Sequence, residues 1–213
     1  AEESVLGAMM LSATATEAVS DIVDAGDFYR ASHAKIYLAA LDEVRANEKA
    51  YGDKSTVLFK LDMGLLYHYA GQPDSSTRWL TAAELEIEDL YTKSISLAVV
   101  SMVLNDNVLP YEGEDFEKVL LNVFLALNYA EKGEPDEALV EARKVDLKLR
   151  EYAKKYEGKN TYREDAFIRY VMGVLYESRG EINDAFISYR NAFETYKVYA
   201  TEYGTPPPSF LLD

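Results

Sequence analysis

The chain has no cysteine, which excludes disulfide bridges, thiolate metal sites and cysteine nucleophiles. It has only two histidines, His33 and His68, and neither has a second ligand at metal-binding spacing. The H-E-x-x-H and G-x-S-x-G patterns are absent, so no catalytic or metal-ligating residue is assigned, no cofactor is expected and the chain reads as non-enzymatic. Six prolines and eleven glycines in 213 residues leave helices few breakers. Positive charge is also scarce: 22 Lys and Arg against 37 Asp and Glu give a net charge of −15. Binding a phosphate backbone depends on clustered cations, and the densest basic stretch, Arg143 to Lys159, is interrupted by Asp146, Glu151 and Glu157. No nucleic-acid partner is expected. No apolar run reaches the roughly 18 residues that span a bilayer, and the opening AEESVLGAMMLS lacks the basic lead and apolar core of a signal peptide. That leaves a cytoplasmic protein, or one whose targeting segment preceded Ala1.

Tyrosine, by contrast, is abundant, at 17 residues. Its ring packs like a large apolar group while its hydroxyl reaches water, which suits thin helical layers with many half-buried positions. A spacing recurs in three windows, Met63 to Ala83, Leu125 to Val145 and Met172 to Ala192. Each has a small residue (Gly64, Ala126, Gly173), a Tyr three later (Tyr67, Tyr129, Tyr176) and a Gly four beyond that (Gly71, Gly133, Gly180). Small residues follow at Ser76, Ala138 and Ala185, then Ala83, Val145 and Ala192. The pattern predicts three helix pairs. The first small residue allows close helix approach, the Tyr fills the space between the paired helices, and the Gly ends the first helix in a left-handed conformation. Pro73 and Pro135 then open the second helices, where proline costs little. Asp74, Asp136 and Asp184 place negative charge at the positive helix end.

The spacing is irregular. Gly64 to Ala126 is 62 residues and Ala126 to Gly173 is 47, against about 34 for a compact helical pair. The first insertion holds the apolar run Ile95–Leu104, read either as an extra helix or as functional, and then NDNVLPYEGED, Asn105 to Asp115. The second holds a prolonged helix and the polar turn 154–160. In the last pair Phe186, Tyr189, Phe193 and Tyr196 fall on one helical stripe, which reads as core. Glu84 and Glu88 read as a solvated face. Calcium at Asn105–Asp106–Asn107 with Glu112, Glu114 and Asp115 is disfavoured, because the D-x-[DN]-x-[DN]-G order is missing.

The three windows resemble the tetratricopeptide repeat, although Lys60, Asn122 and Arg169 stand where that repeat usually has Trp, and only Tyr189 keeps its aromatic on the second helix. From about Asn47 the phrases LLYHYAG, IEDLYTKSIS, NDNVLPYEGEDFEKVL, EALVEARKVDLKL, YEGKNTYREDAF and NDAFISYRNAFETY resemble a poorly characterised family of bacterial envelope lipoproteins built of such repeats. That resemblance implies a periplasmic protein associated with the outer membrane, with a lipid anchor carried by a segment preceding Ala1. It also implies a concave groove lined by the first helices. His68, Tyr69, Glu131, Tyr170 and Glu177 would face the groove, with Asn105, Asp106, Asn107 and Tyr111 of the insertion beside it, and two Glu would favour a basic peptide.

The first 45 residues are similar to something else. AEESVLGAMMLS followed by DIVDAGDFYRASHAKIYLAAL resembles the opening helices of the bacterial replicative helicase, whose N-terminal domain forms a hexamer collar and touches primase. No G-x-x-x-x-G-K-[ST] occurs in these 213 residues, so unwinding is not expected of them. Two resemblances in one chain imply joined sequences, natural or engineered, or convergence of two amphipathic helices around a DFYR turn. Either way the expected organisation is all-α. Residues 1–46 form a helical cap that buries Val5, Leu6, Met9, Met10, Val19, Ile22 and Val23 against the first pair, and residues 47–213 form the tetratricopeptide-like domain. The expected role is an envelope scaffold that binds a protein segment in its groove; the alternative is a replication-associated module acting through its N-terminal helices. The sequence leaves the oligomeric state open.

Overall fold

The computed structural model describes residues 31–98, 110–155 and 165–211, and every regular element in them is helical. The order is α1 (Ala31–Ala46), α2 (Glu48–Tyr51), α3 (Thr56–Tyr69), α4 (Pro73–Ala98), α5 (Asp115–Glu131), α6 (Pro135–Lys155), α7 (Ala166–Ser178) and α8 (Ile182–Glu202), then a 3-10 turn at Ser209–Leu211. Helices α3–α4, α5–α6 and α7–α8 form three successive hairpins, and α1 lies on α3. The residues of the expected N-terminal cap that precede Ala31 lie outside the described residues.

Each hairpin turns on a glycine. Gly71, Gly133 and Gly180 have φ of 69°, 73° and 73°, the left-handed region that other residues enter only at a cost. The backbone closes the same way each time. The glycine N–H donates to His68, Ala130 or Glu177, and the next N–H donates to Tyr67, Tyr129 or Tyr176, satisfying carbonyls that the ending helix leaves open. The following carbonyl, of Gln72, Glu134 or Glu181, already accepts the first bond of the second helix. Two helices are thereby forced into antiparallel contact with almost no loop.

The helices of a hairpin meet through matched sizes. Seven residues before the turn glycine stand Gly64, Ala126 and Gly173; nine after it stand Leu80, Ala142 and Tyr189. Where the first helix has glycine, the second fills the space with Leu or Tyr. A Cβ at Gly64 would lie 2.5 Å from Leu80 Cδ2, and one at Gly173 would lie 2.5 Å from Tyr189 Cδ1. Where the first helix has Ala126, the second has only Ala142, and both are fully buried. Ser76, Ala138, Ala185, Ala83, Val145 and Ala192 are all buried as well. In every pair the first helix keeps a small residue at the contact, and the second packs Leu80, Ala142 or Tyr189 against it.

Neighbouring hairpins are joined by polar groups at one register. Glu84 of α4 is thirteen residues past Gly71 and Asp146 of α6 is thirteen past Gly133; Asn122 of α5 and Arg169 of α7 are each eleven before their glycine. Asn122 is fully buried and donates to Glu84 at 2.7 Å and to Glu141 at 2.6 Å, while its oxygen accepts from Lys148 at 2.6 Å. Lys144 closes the cluster with 3.0 Å bonds to Glu84 and Glu141. At the next junction the buried Arg169 pairs with Asp146, which also accepts from Tyr176 at 2.7 Å. A second, exposed pair repeats alongside: Asp74 with Lys132 at 3.1 Å, and Asp136 with Arg179. The reading of Glu84 as a solvated residue is therefore corrected: its side chain is only 12% exposed, because α5 and α6 close over it. Burial would raise the Glu84 carboxyl, but hydrogen bonds from Asn122 and Lys144 and the charges of Lys144 and Lys148 hold it below the ordinary carboxylate value. Burial outweighs the pull of Glu84 at Lys148 and lowers that ammonium.

The two ends of the stack differ. At the first end Leu41 of α1 is buried with Phe59, Met63 and Tyr67, and Arg45 lies over the Tyr67 ring. At the other end the expectation that Phe186, Tyr189, Phe193 and Tyr196 form core is corrected in part: Tyr189 packs against the core beside Gly173, but Phe186 does not join it. Phe186 is 65% exposed and the other three are half-buried. On α8 the fully buried side chains are the small ones, Ala185, Ser188 and Ala192, on the face that α7 covers together with Tyr189, whereas Phe186 stays exposed. Of the insertions, α4 absorbs 95–98 and α6 absorbs 154–155 as continuous helix; 99–109 and 156–164 lie outside the described residues.

Two outcomes are expected. Gly64→Ala and Leu80→Ala should each destabilise the fold, by about 1–3 and 2–5 kcal/mol, and the double variant should lose less than the sum in urea denaturation; strict additivity would contradict the size match. The lowered Glu84 value means that the folded state binds fewer protons than the unfolded chain below the ordinary value of 4.5. Its contribution is thus present above that value and lost as pH falls through the lowered one. Glu84→Gln should cost about 1–3 kcal/mol at neutral pH and flatten the acid limb of stability against pH; an unchanged acid limb would contradict the assignment.

Candidate partner-binding surface

The residues expected to line one groove do not assemble into one. His68 packs onto α5: its ring meets Phe124 edge-on at 4.9 Å, and its Nδ1 lies 2.7 Å from Asn128 Oδ1. Asn128 is fully buried and donates through Nδ2 to Ser76 at 2.8 Å, so its oxygen accepts and His68 Nδ1 donates. This chain ties α3, α4 and α5 together, and His68 acts as a structural tie. Tyr170 and Glu177 turn toward their own hairpin partner. Tyr170 sits 5.9 Å from the Tyr189 ring, and Glu177 accepts the Tyr189 hydroxyl at 2.6 Å. Burial and that carboxylate push the Tyr189 hydroxyl well above its usual value. Glu131 is exposed in the last turn of α5.

Of the insertion, Asn105, Asp106 and Asn107 lie outside the described residues. Tyr111 is described and is tied down. Its N–H donates to Lys54 O at 2.7 Å, and its hydroxyl donates to Glu117. Glu117 also accepts from the Glu114 N–H at 2.8 Å and so completes a reciprocal cap at the start of α5. Burial, then Glu117, raises the Tyr111 hydroxyl above its ordinary value. Tyr111 borders a polar cleft of about 620 Å³ together with Lys54, Glu112, Asp115, Lys118 and Lys155. The charges there pair internally, Lys118 with Glu112 at 3.7 Å and Lys155 with Asp115 at 2.9 Å. Among the described residues no group of three or more His, Asp or Glu side chains is placed to hold a metal ion. No described helix is long and apolar enough to cross a membrane.

One surface open to a partner is made by α1 and the end of α3. Tyr69 is 47% exposed and stacks on Tyr37 of α1, with centroids 5.2 Å apart and planes at 23°; Phe124 meets Tyr69 edge-on at 6.0 Å. On the same α1, Ile36 is 61% exposed and Leu38 is also exposed. Rigid aromatic side chains with adjacent aliphatic ones are the common composition of protein-binding surfaces. Sequence reasoning found Tyr69 but missed Tyr37, Ile36 and Leu38. The outward apolar residues at 36 and 38 of a helix whose buried anchor is Leu41 were the available signal.

Ile36, Tyr37 and Leu38 of this surface lie in the part of the chain that is similar to known proteins. Residues 1–68 match the family described as the DnaB-like helicase N terminal domain. The replicative DNA helicase DnaB of Mycobacterium leprae (strain TN) is 45% identical over 74 residues, which is 34% of this chain and 12% of that helicase. The match thus spans about an eighth of the helicase's length. No solved structure matches. These findings overturn the reading of the chain as a tetratricopeptide-type lipoprotein scaffold of the periplasm: the similarity found is to a replicative helicase. The physical error lay in letting hairpin spacing, which any close-packed helical pair requires, stand for a particular family and compartment.

Structural ties and free surface should separate by mutation. Asn128→Ala should cost about 1–3 kcal/mol, because His68 and Ser76 lose a buried partner, whereas Glu131→Ala should stay within about 0.5 kcal/mol. Equal effects in thermal or urea unfolding would contradict the assignment.

Proposed function

We propose that this chain is a replication-associated, non-enzymatic protein-binding module, and that its partner-facing surface is the α1–α3 end. The observation that carries the reading is the match of residues 1–68 to the DnaB-like helicase N terminal domain, over a segment whose described part carries exposed Ile36, and Tyr37 stacked on Tyr69 just past its end. On this reading residues 1–46 are the contact unit, residues 47–213 are the helical-hairpin body that holds it, and the protein works in the cytoplasm. The candidate partners are a helicase collar, joined through like-with-like helix contacts, and primase. The net charge of −15 fits a protein partner better than a nucleic acid. The packing of Leu41 against Phe59 and Met63 makes α1 continuous with the body, so the contact would be transmitted by a rigid element and not by a tether.

The test uses the full chain with purified replicative helicase and with purified primase from the same source, by light scattering and biolayer interferometry. Binding to one of them should fall at least tenfold in Ile36→Glu and in Tyr69→Ala, with helicity unchanged. A protein that binds neither, or whose variants bind equally well, would rule the proposal out.

A further inference from the structure

The first helices of the three hairpins carry a further apolar stripe. Six residues before and one after each close-approach residue stand Leu58 and Leu65, Leu120 and Leu127, Phe167 and Val174. Seven residues apart, each pair lies on one face of its helix. None of the six is fully buried: the leucines are half-buried, Phe167 is 60% exposed and Val174 43%. The stripes adjoin. Phe124, on the stripe of α5, meets Tyr69, on that of α3, edge-on at 6.0 Å. Leu120 and Leu127 pack against the core that α7 completes with Ile168 and Met172. The acids on this face are Asp62, which accepts from Tyr51 at 2.7 Å, and Glu131 at the end of α5. The result is an apolar inner face that runs across α3, α5 and α7.

We infer that the occupant of this face is the chain's own N-terminal segment, residues 1–30. Three observations point to it. The segment joins α1 at the edge of the face: Tyr37, less than two turns past Ala31, stacks on Tyr69 at 5.2 Å, and Tyr69 touches Phe124. The segment is long enough. Packed helices lie about 8–10 Å apart, so the face from α3 to α7 is about 20 Å wide, and 30 residues cross it even when fully helical, at about 1.5 Å each. Its composition also suits an apolar face. Val19, Ile22 and Val23 recur at helical spacing near its end, and Val5, Leu6, Met9 and Met10 do so near its beginning. The nearer group would cover α3 and α5 beside Leu65 and Leu127, and the farther group would reach Phe167 and Val174 on α7. Burying these side chains against one another removes apolar surface from water on both sides. Being tethered at the edge, the segment has an effective concentration on the order of millimolar at the face, which a free partner would have to exceed.

A chain without cysteine gives cross-linking no background. In the full-length protein Met10→Cys is combined with Val174→Cys on the inner face or with Val140→Cys, which is exposed on α6, and each pair is treated with a short bismaleimide. The Val174 pair should cross-link within one chain at least tenfold more than the Val140 pair. A second measurement needs no cysteine. Trypsin cleavage after Arg30 should be several-fold faster in Val174→Asp than in Leu147→Asp, a change at an exposed residue of α6, with helicity unchanged in both. Equal cross-linking of the two pairs, or one cleavage rate in both variants, would overturn the inference and leave the face to a partner protein. Cross-links formed only between chains would also overturn it, making the occupant the same segment of a second copy. Neither measurement changes Ile36 or Tyr69 or uses helicase or primase, so this result and the binding result for the α1 surface stand independently.

Discussion

The buried carboxylate that each hairpin presents to the next is the interaction on which the stack depends. Glu84 with Asn122, and Asp146 with Arg169, sit at the same register in successive junctions. A charge taken out of water is costly unless it is paired and hydrogen-bonded. Here the partners come from three helices at the first junction, with Glu141, Lys144 and Lys148 completing it. Sliding one hairpin by a residue would leave at least one of these groups buried without a partner. The apolar contacts, being non-directional, impose no such penalty. The clasp therefore contributes register more than net stability.

Size matching acts inside each hairpin as the clasp acts between them. Gly64 against Leu80, Ala126 against Ala142 and Gly173 against Tyr189 set how closely the paired helices approach. Because each layer is only two helices thick, side chains past the contact line reach solvent. That accounts for the many tyrosines: the rings of Tyr67 and Tyr176 are buried, and the hydroxyl of Tyr176 still finds Asp146. It also leaves the stack with two chemically distinct ends. At one end α1 covers hairpin one and carries the similarity to a helicase domain. At the other, Phe186 of α8 is exposed at the position where Leu139 of α6 is buried.

The helix pairs could be read directly from the chain, and their turns most securely. A glycine followed by proline or acid after an apolar helix leaves few alternatives, because only glycine enters the left-handed cap without strain. The close-approach residues were legible for the same reason, as was the tyrosine spacing. Periodicity did not reveal which face of α8 is covered. Phe186 and Leu139 occupy equivalent positions, and one is exposed while the other is buried. A stripe reports that a helix has an apolar face, not that a neighbour has arrived to bury it. Glu84 makes the converse point: in sequence it is one of many carboxylates, and only the approach of α5 and α6 turns it into a buried hydrogen-bond centre. His68, Tyr170 and Glu177 were placed on the correct helices, but their partners, Asn128 and Tyr189, were decided by packing.

The sequence by itself determined an all-helical chain, three glycine-ended hairpins, the positions where helices touch closely and the absence of thiol chemistry. These depend on local geometry and residue identity, which act within a few residues of one another. The tertiary structure decided which polar residues became clasps, which aromatic residues stayed open and which expected site residues became internal ties. Those outcomes depend on groups twelve or more residues apart meeting between helices (Glu177 and Tyr189 are 12 apart, Glu84 and Asn122 are 38 apart), and no local pattern encodes which surface will be covered when they meet.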